Sequence, residues 1–181
     1  MRFPRLLAAA ALAASATLAQ ATYINSSFFN SAGNTWIGQF TVTNDGSVPL
    51  IESFTIFFDY GKATNLTLMW APSWWDTIVV QPDDVLQAAG YLDALQVDPS
   101  LGLAPGSGLK GFSVQFDWSG ADAPGPFAYS VNDPVTYASI ETGRTDVPGG
   151  GGSPALPEPA SLALLLAGLA GAAATRRHAT A

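Results

Sequence analysis

The sequence predicts an all-β fold, a single antiparallel β-sandwich of immunoglobulin-like or jelly-roll type. Two observations carry this prediction. Apolar and polar residues alternate with a period of two in several short segments, which is typical of half-buried antiparallel strands. Proline, glycine, asparagine and aspartate recur between these segments, roughly every ten residues, as in sandwich folds. The predicted domain covers residues 22–146, a size that can bury its own core.

The alternating segments predict six to eight strands. Residues 111–118 give the clearest signal, with four apolar side chains on one face and polar ones on the other. Gly38 suggests a bulge or a close backbone approach within its strand. The other predicted strands are 35–43, 50–58, 64–70, 76–80, 134–140 and one near 94–97.

Two connecting segments are also predicted. Residues 44–47 read Asn-Asp-Gly-Ser and form a turn, because Asn, Asp and Gly tolerate positive φ. Residues 83–95 carry a short helical pattern that Gly90 interrupts. We therefore expect a loop with one helical turn there, leading into the strand near 94–97.

Residues 1–21 have the three parts of a secretory signal peptide. Arg2 and Arg5 give a positive start, and residues 6–18 form an apolar run that is too short to span a bilayer. Ala19 and Ala21 fit the small-x-small pattern of signal peptidase cleavage. We therefore expect export through the secretory translocon, with cleavage after Ala21.

The charge of the predicted domain excludes some partners. It holds three basic residues against thirteen acidic ones, a net charge of −10. Such a domain repels nucleic acid, whose phosphates need clustered Lys and Arg. The chain has no cysteine, so disulfides, thiol nucleophiles and cysteine-ligated metals are excluded.

The C-terminal part changes character twice. Residues 147–156 are rich in glycine and proline and predict a flexible linker. Residues 157–181 begin with Pro157-Glu158-Pro159, continue through an apolar run at 160–174, and reach Arg176 and Arg177. Fifteen residues make a helix of about 23 Å, somewhat short for a hydrocarbon core of about 30 Å. The basic pair predicts a transmembrane stop on the cytoplasmic side.

This C-terminal pattern resembles the PEP-CTERM sorting signal of Gram-negative bacteria, a Pro-Glu-Pro motif followed by a membrane-spanning run and an arginine cluster. The resemblance covers about 25 residues at the C-terminus. The segments 40–59 and 103–120 are also similar to β-sandwich ectodomains of such proteins. The resemblance implies transient anchoring in the inner membrane, cleavage near the motif by an exosortase, and release or attachment to the envelope. It also implies a link to exopolysaccharide or biofilm.

Catalysis is not expected. His178 is the only histidine and lies beyond the apolar run, so a Ser-His-Asp triad and a histidine base are excluded from the domain. The acidic residues of the domain still permit a glycosidase that uses two carboxylates, although Glu52 and Glu141 are its only glutamates. We expect neither a cofactor nor a bound metal.

Tryptophans are the candidate ligand residues. Trp70 continues the inward face of its predicted strand and is expected in the core. Trp74 and Trp75 are adjacent and point opposite ways, so at most one is expected to be buried. An exposed indole can stack on a sugar ring. Calcium is a further alternative, with oxygen ligands from Asp83, Asp84, Asp93 and Asp98, although solvated loop carboxylates are the simpler interpretation.

The sequence thus predicts an exported, exosortase-sorted envelope or extracellular-matrix protein without catalytic activity. The alternative is a secreted carbohydrate-binding module that uses exposed tryptophans.

Overall fold

The computed structural model describes residues 22–147 of the 181-residue chain. This part contains nine β-strands and one short 3₁₀-helix. The strands are β1 Tyr23–Ala32, β2 Thr35–Thr43, β3 Ser53–Phe58, β4 Ala63–Trp70, β5 Trp75–Val80, β6 Gly90–Gln96, β7 Gly108–Trp118, β8 Ala128–Asn132 and β9 Ser139–Arg144, and the helix is Pro99–Leu101.

The strands form two antiparallel sheets that pack face to face, which confirms the predicted β-sandwich. The four-stranded sheet has the order β1-β2-β7-β4, and the five-stranded sheet has the order β5-β6-β3-β8-β9. The chain passes repeatedly from one sheet to the other. Strand β7 lies between β2 and β4, although it begins at Gly108, 38 positions after β4 ends at Trp70.

Aromatic rings join the two sheets in the core. Phe54 on β3 meets Phe112 on β7 with ring centroids 4.9 Å apart, and Phe58 meets Phe116 at 5.3 Å. Both pairs are edge-to-face, an arrangement that adds about 0.5–1.5 kcal/mol to the burial itself. Phe127, in the loop before β8, packs against Phe58 at 4.9 Å. Because the domain has no disulfide, the two sheets are held together by packing, to which these aromatic contacts contribute.

Buried hydrogen bonds tie the ends of the domain together. Ser26 on β1 donates its hydroxyl to Thr145 Oγ1 at 2.9 Å, and that oxygen also accepts the backbone N–H of Phe127 at 3.0 Å. The phenol of Tyr129 donates to the carbonyl of Thr22. These contacts link Thr22 and β1 to β8 and to Thr145 after β9, so both ends of the domain belong to the fold.

Most of the predicted strands are confirmed. The inward faces predicted for 35–43, 50–58 and 111–118 are buried, including Phe40, Phe54 and Phe112. The predicted turn at 44–47 forms when Asn44 Oδ1 accepts the N–H of Gly46 at 3.0 Å. A Cβ at Gly38 would lie 3.1 Å from the Phe40 ring, which confirms the close approach.

Other predictions need correction. Residues 133–138 form a turn, not a strand, because Asp133 accepts the N–H groups of Val135 and Thr136 at 3.0 and 2.7 Å. Strands β8 and β9 flank this turn. The segment after Asp83 forms turns without a helix, and strand β6 begins at Gly90, earlier than predicted. Strand β1 was not predicted.

Within residues 22–147, no helix is long and apolar enough to cross a bilayer. The predicted signal peptide, most of the linker and the predicted C-terminal helix lie outside the described residues.

Candidate functional site

The outer face of the four-stranded sheet carries regular rows of polar side chains. Hydrogen-bonded register places Ser27, Gln39, Ser113 and Trp70 in one row that crosses all four strands. A neighbouring row contains Asn25, Thr41 and Lys110. Four strands at a spacing of about 4.8 Å make this face roughly 14 Å wide. It offers amides and hydroxyls across its full width.

Trp70 belongs to this outer face, so its predicted place in the core is wrong. The residue is 54% exposed. Strand β4 has one extra residue between Thr64 and Thr67 relative to β7, and another between Leu68 and Trp70. Each β-bulge shifts the alternation of faces by one position. The second bulge turns Trp70 outward, whereas Leu66 and Leu68 still face the core.

The Trp70 ring lies against the backbone of Gly111. A Cβ at position 111 would be 2.0 Å from Cζ3 of the ring, and 2.8 and 2.9 Å from Cε3 and Cη2. These atoms belong to the six-membered ring, so this end of the indole contacts strand β7 while the residue as a whole stays half exposed. Gly111 has φ +109° and is the extra residue of a bulge opposite Phe40 and Thr41. Only glycine suits both the backbone and the space.

A groove of about 500 Å³ opens beside this contact. Its volume falls within the usual range for small-molecule sites, about 300–1,000 Å³. It combines one exposed aromatic ring, one cation and several neutral polar groups. The residues that line it are Asn25, Ser26, Ser27, Gln39, Phe40, Thr41, Trp70, Lys110, Gly111, Phe112 and Ser113. We call it the Trp70 groove.

The two tryptophans selected from the sequence lie elsewhere. Trp75 is only 4% exposed and packs against Phe54 and Phe112, with centroids at 5.5 and 5.7 Å. The prediction that Trp75 could stack on a sugar is therefore wrong, because its ring is buried and not open to a ligand. Trp74 is 47% exposed in the β4–β5 loop and is not among the residues lining the Trp70 groove. The prediction that at most one of the pair is buried is confirmed.

The aspartates considered for calcium are dispersed. Asp83 caps a turn in the β5–β6 loop, and Asp93 accepts the Thr55 hydroxyl at 2.7 Å on the five-stranded sheet. Asp98 accepts the hydroxyl and the N–H of Ser100 at 2.7 and 2.9 Å, which lowers its pKa. Across residues 22–147, no three acidic or histidine side chains come together to hold a metal.

Two carboxylates lie close to this sheet without lining the groove. Asp146 is bridged to Asn25 at the edge of β1, and Asp117 lies further along β7. Asp117 accepts hydrogen bonds from Asn65 Nδ2 and Thr35 Oγ1, each at 2.8 Å. These two bonds hold its pKa below the ordinary aspartate value. Along strand β7 it is four residues from Ser113, or roughly 13 Å. The groove lining itself contains no carboxylate.

The predicted sorting residues cannot be placed. Ala19, Ala21, Pro157, Glu158, Pro159, Arg176 and Arg177 all lie outside the described residues.

Comparisons with known proteins give only remote likenesses. No protein-family model matches the chain, and no curated protein matches it. Among solved structures, the chitin-binding domain of Chi18aC from Streptomyces coelicolor is 22% identical with a TM-score of 0.36, covering 60% of this chain and 90% of that one. A CBM of Ruminiclostridium thermocellum is 15% identical with a TM-score of 0.39, covering 61% and 93%. Biomass-sensing modules of Clostridium thermocellum are 12% identical with a TM-score of 0.35, covering 70% and 89%. Similarity at this level does not establish a shared ligand.

Proposed function

We propose that the described domain is a carbohydrate-binding module that holds a polysaccharide in the Trp70 groove. The observation that carries the proposal is the exposed Trp70 ring, held over Gly111 beside a wide polar sheet face. The indole offers a ligand on this face an apolar ring together with a polar N–H group.

Sugar recognition needs both parts of this surface. The axial C–H face of a pyranose is apolar and stacks on an aromatic ring, whereas its hydroxyls need donors and acceptors in the plane of the sheet. Gln39, Asn25 and Ser113 supply such groups around the ring. Side-chain amides can donate and accept at once. The open groove suits a chain that continues beyond the site on either side.

Two matched variants test the proposal. Trp70→Ala and Trp74→Ala each remove a tryptophan of similar exposure, one in the groove and one in a loop outside it. The assay is retention of the full-length chain, purified in mild detergent, on a panel of immobilised neutral and acidic polysaccharides. We expect Trp70→Ala to lose at least tenfold in affinity and Trp74→Ala to bind like the parent. Equal binding by all three proteins would refute the groove as the site.

We infer that this domain binds without catalysis. A glycosidase needs two carboxyl groups at the bound sugar, one as general acid and one as nucleophile or base. The groove lining offers no carboxylate as a nucleophile or base. Release of reducing sugar from a bound polysaccharide would contradict this inference.

We also propose that the chain is exported and sorted through its C-terminal signal. This proposal rests on the signal peptide pattern at 1–21 and the motif Pro157-Glu158-Pro159 before an apolar run and Arg176-Arg177. Its partners would be the translocon, signal peptidase, the inner membrane and an exosortase. The intact mass of the protein from its host tests it. A chain ending near residues 156–159 supports cleavage, and a membrane-bound chain running from Thr22 to Ala181 refutes it.

A further inference from the structure

Lys110 differs from the other cations of the described domain because it has no partner. Lys62 forms an ion pair with Asp59 at 3.2 Å and also lies 5.6 Å from the centre of the Trp118 ring. Arg144 donates to the carbonyl of Pro126. The Lys110 side chain makes no hydrogen bond or ion pair with any residue in the range 22–147. Its ammonium group is therefore available to a ligand.

This unpaired cation lies at the wall of the Trp70 groove. Lys110 is opposite Thr41 in the β2–β7 register, directly before the bulge residue Gly111. The same glycine supports the Trp70 ring. A charged group and a stacking platform thus flank one glycine on one sheet face.

Lys110 is the only charged residue that lines the groove, although the domain as a whole is acidic. The described residues carry a net charge of −10, which opposes a polyanion at long range. However, charges in solvent are screened over about 8 Å at physiological ionic strength. Asp117 lies roughly 13 Å from Ser113 along β7. Asp146, bridged to Asn25, is three strand spacings from Lys110, or roughly 14 Å. Because no carboxylate lines the groove, a bound anion would interact mainly with Lys110.

We propose that the polysaccharide held in the Trp70 groove is acidic, with a hexuronate ring stacked on Trp70 and its carboxylate bound by Lys110. This inference rests on the proposed carbohydrate-binding function and names its substrate class. The pairing matches the only charged side chain that lines the groove with an opposite charge on the ligand.

The test compares each acidic polysaccharide with its own neutral form. The probes are alginate, polygalacturonate and hyaluronate, each also after chemical reduction of its carboxyl groups, together with cellulose, chitin and xylan. Affinities are measured for the full-length chain and for Lys110→Gln, Lys110→Arg and Lys62→Gln. We expect at least one acidic probe to bind tenfold or more tighter than its reduced form. Lys110→Gln should abolish this ratio, whereas Lys110→Arg and Lys62→Gln should keep it.

The outcomes that would overturn this inference differ from those that would overturn the proposed function. A parent protein that binds reduced or neutral glycans as tightly as acidic ones overturns the acidic ligand but leaves the proposed function intact. A ratio that survives in Lys110→Gln overturns the role of this lysine. A chain that binds none of the probes, acidic or neutral, overturns the carbohydrate-binding function together with this inference. Circular dichroism confirms that each variant is folded.

Discussion

Substituting Gly111 by alanine should damage the Trp70 groove through two separable effects. The first is backbone strain, because φ at this position is +109° and a non-glycine residue held at such an angle costs about 1–3 kcal/mol. The second is a clash, because the new Cβ would lie 2.0 Å from Cζ3 of Trp70, well inside van der Waals contact. Since Trp70 is an exposed side chain, it should swing away instead of unfolding the strand.

Gly106→Ala is the matched control. Gly106 also has a positive φ, +80°, but a Cβ there would meet nothing within 4 Å. This variant should lose a similar amount of stability, about 1–3 kcal/mol from strain, without disturbing the groove. Urea unfolding of the full-length chain in detergent measures the stability, and polysaccharide retention measures the binding.

We expect Gly111→Ala to bind at least tenfold more weakly than the parent, and Gly106→Ala to bind normally. On the Trp70→Ala background the clash is absent, so Gly111→Ala should there cost only the backbone strain, about 1–3 kcal/mol. Unchanged glycan binding by Gly111→Ala would refute the reasoning that the glycine positions the ring. Equal binding losses in both single variants would show that general destabilisation is the cause.

Three further predictions concern the stability of the sandwich. Gln96 is 5% exposed, and neither atom of its side-chain amide has a hydrogen-bond partner among the described residues. Because an unsatisfied buried amide is costly, Gln96→Met should raise the free energy of unfolding by about 1–3 kcal/mol. Urea unfolding that finds the variant less stable than the parent would contradict this. Burial is the main cause that raises the pKa of Tyr129 above its ordinary value of 10.0, and nearby carboxylates raise it further. The stability that the protonated phenol contributes is therefore present below pH 10 and is lost as the pH rises further. Tyr129→Phe should be less stable at neutral pH but flatten this alkaline loss in thermal unfolding, and an unchanged alkaline slope would contradict it. The hydrogen bonds from Thr136 lower the pKa of Asp133 from 3.8, so its contribution is present above that pH and lost as the pH falls further. Asp133→Asn should therefore show a smaller drop in melting temperature between pH 5 and pH 2 than the parent. An identical drop in both proteins would contradict the claim that the charged Asp133 stabilises this turn.

The sequence was sufficient for the strands that alternate without interruption. Phe112, Val114 and Phe116 repeat with a period of two, and the structure buries all three. The period fails where one strand contains an extra residue relative to its neighbour. Alternation alone therefore places Trp70 in the core with Leu66 and Leu68, although the bulge between Leu68 and Trp70 turns it outward.

Local signals for these irregularities exist in the sequence. Asn65 adopts φ +53° in β4, and asparagine is one of the few non-glycine residues that tolerate such an angle. Gly111 interrupts a strand of otherwise larger residues, which marks a bulge or a close approach. Neither signal identifies which side chain approaches the glycine, because that depends on the pairing of β4 with β7 across more than forty residues.

Two strands were missed for a different reason. Strand β1 carries Ser26 on its buried face, between Ile24 and Phe28, and this polar residue obscures the alternation. It is stabilised by the hydrogen bond from its hydroxyl to Thr145, 119 residues away. A contact of such long range leaves no local pattern. Strand β8 has only five residues, too few for a period of two to stand out.

The tryptophan indole N–H signals test the central claim most directly. A two-dimensional ¹⁵N–¹H spectrum of the full-length chain is titrated with an oligosaccharide of the polysaccharide that it retains best, and Trp70→Phe assigns the key signal. If the Trp70 groove is the site, the Trp70 signal shifts on titration, whereas those of the buried Trp75 and Trp118 stay in place. A shift confined to Trp74, or no shift of Trp70 at saturation, would contradict the claim that the glycan binds on this sheet face.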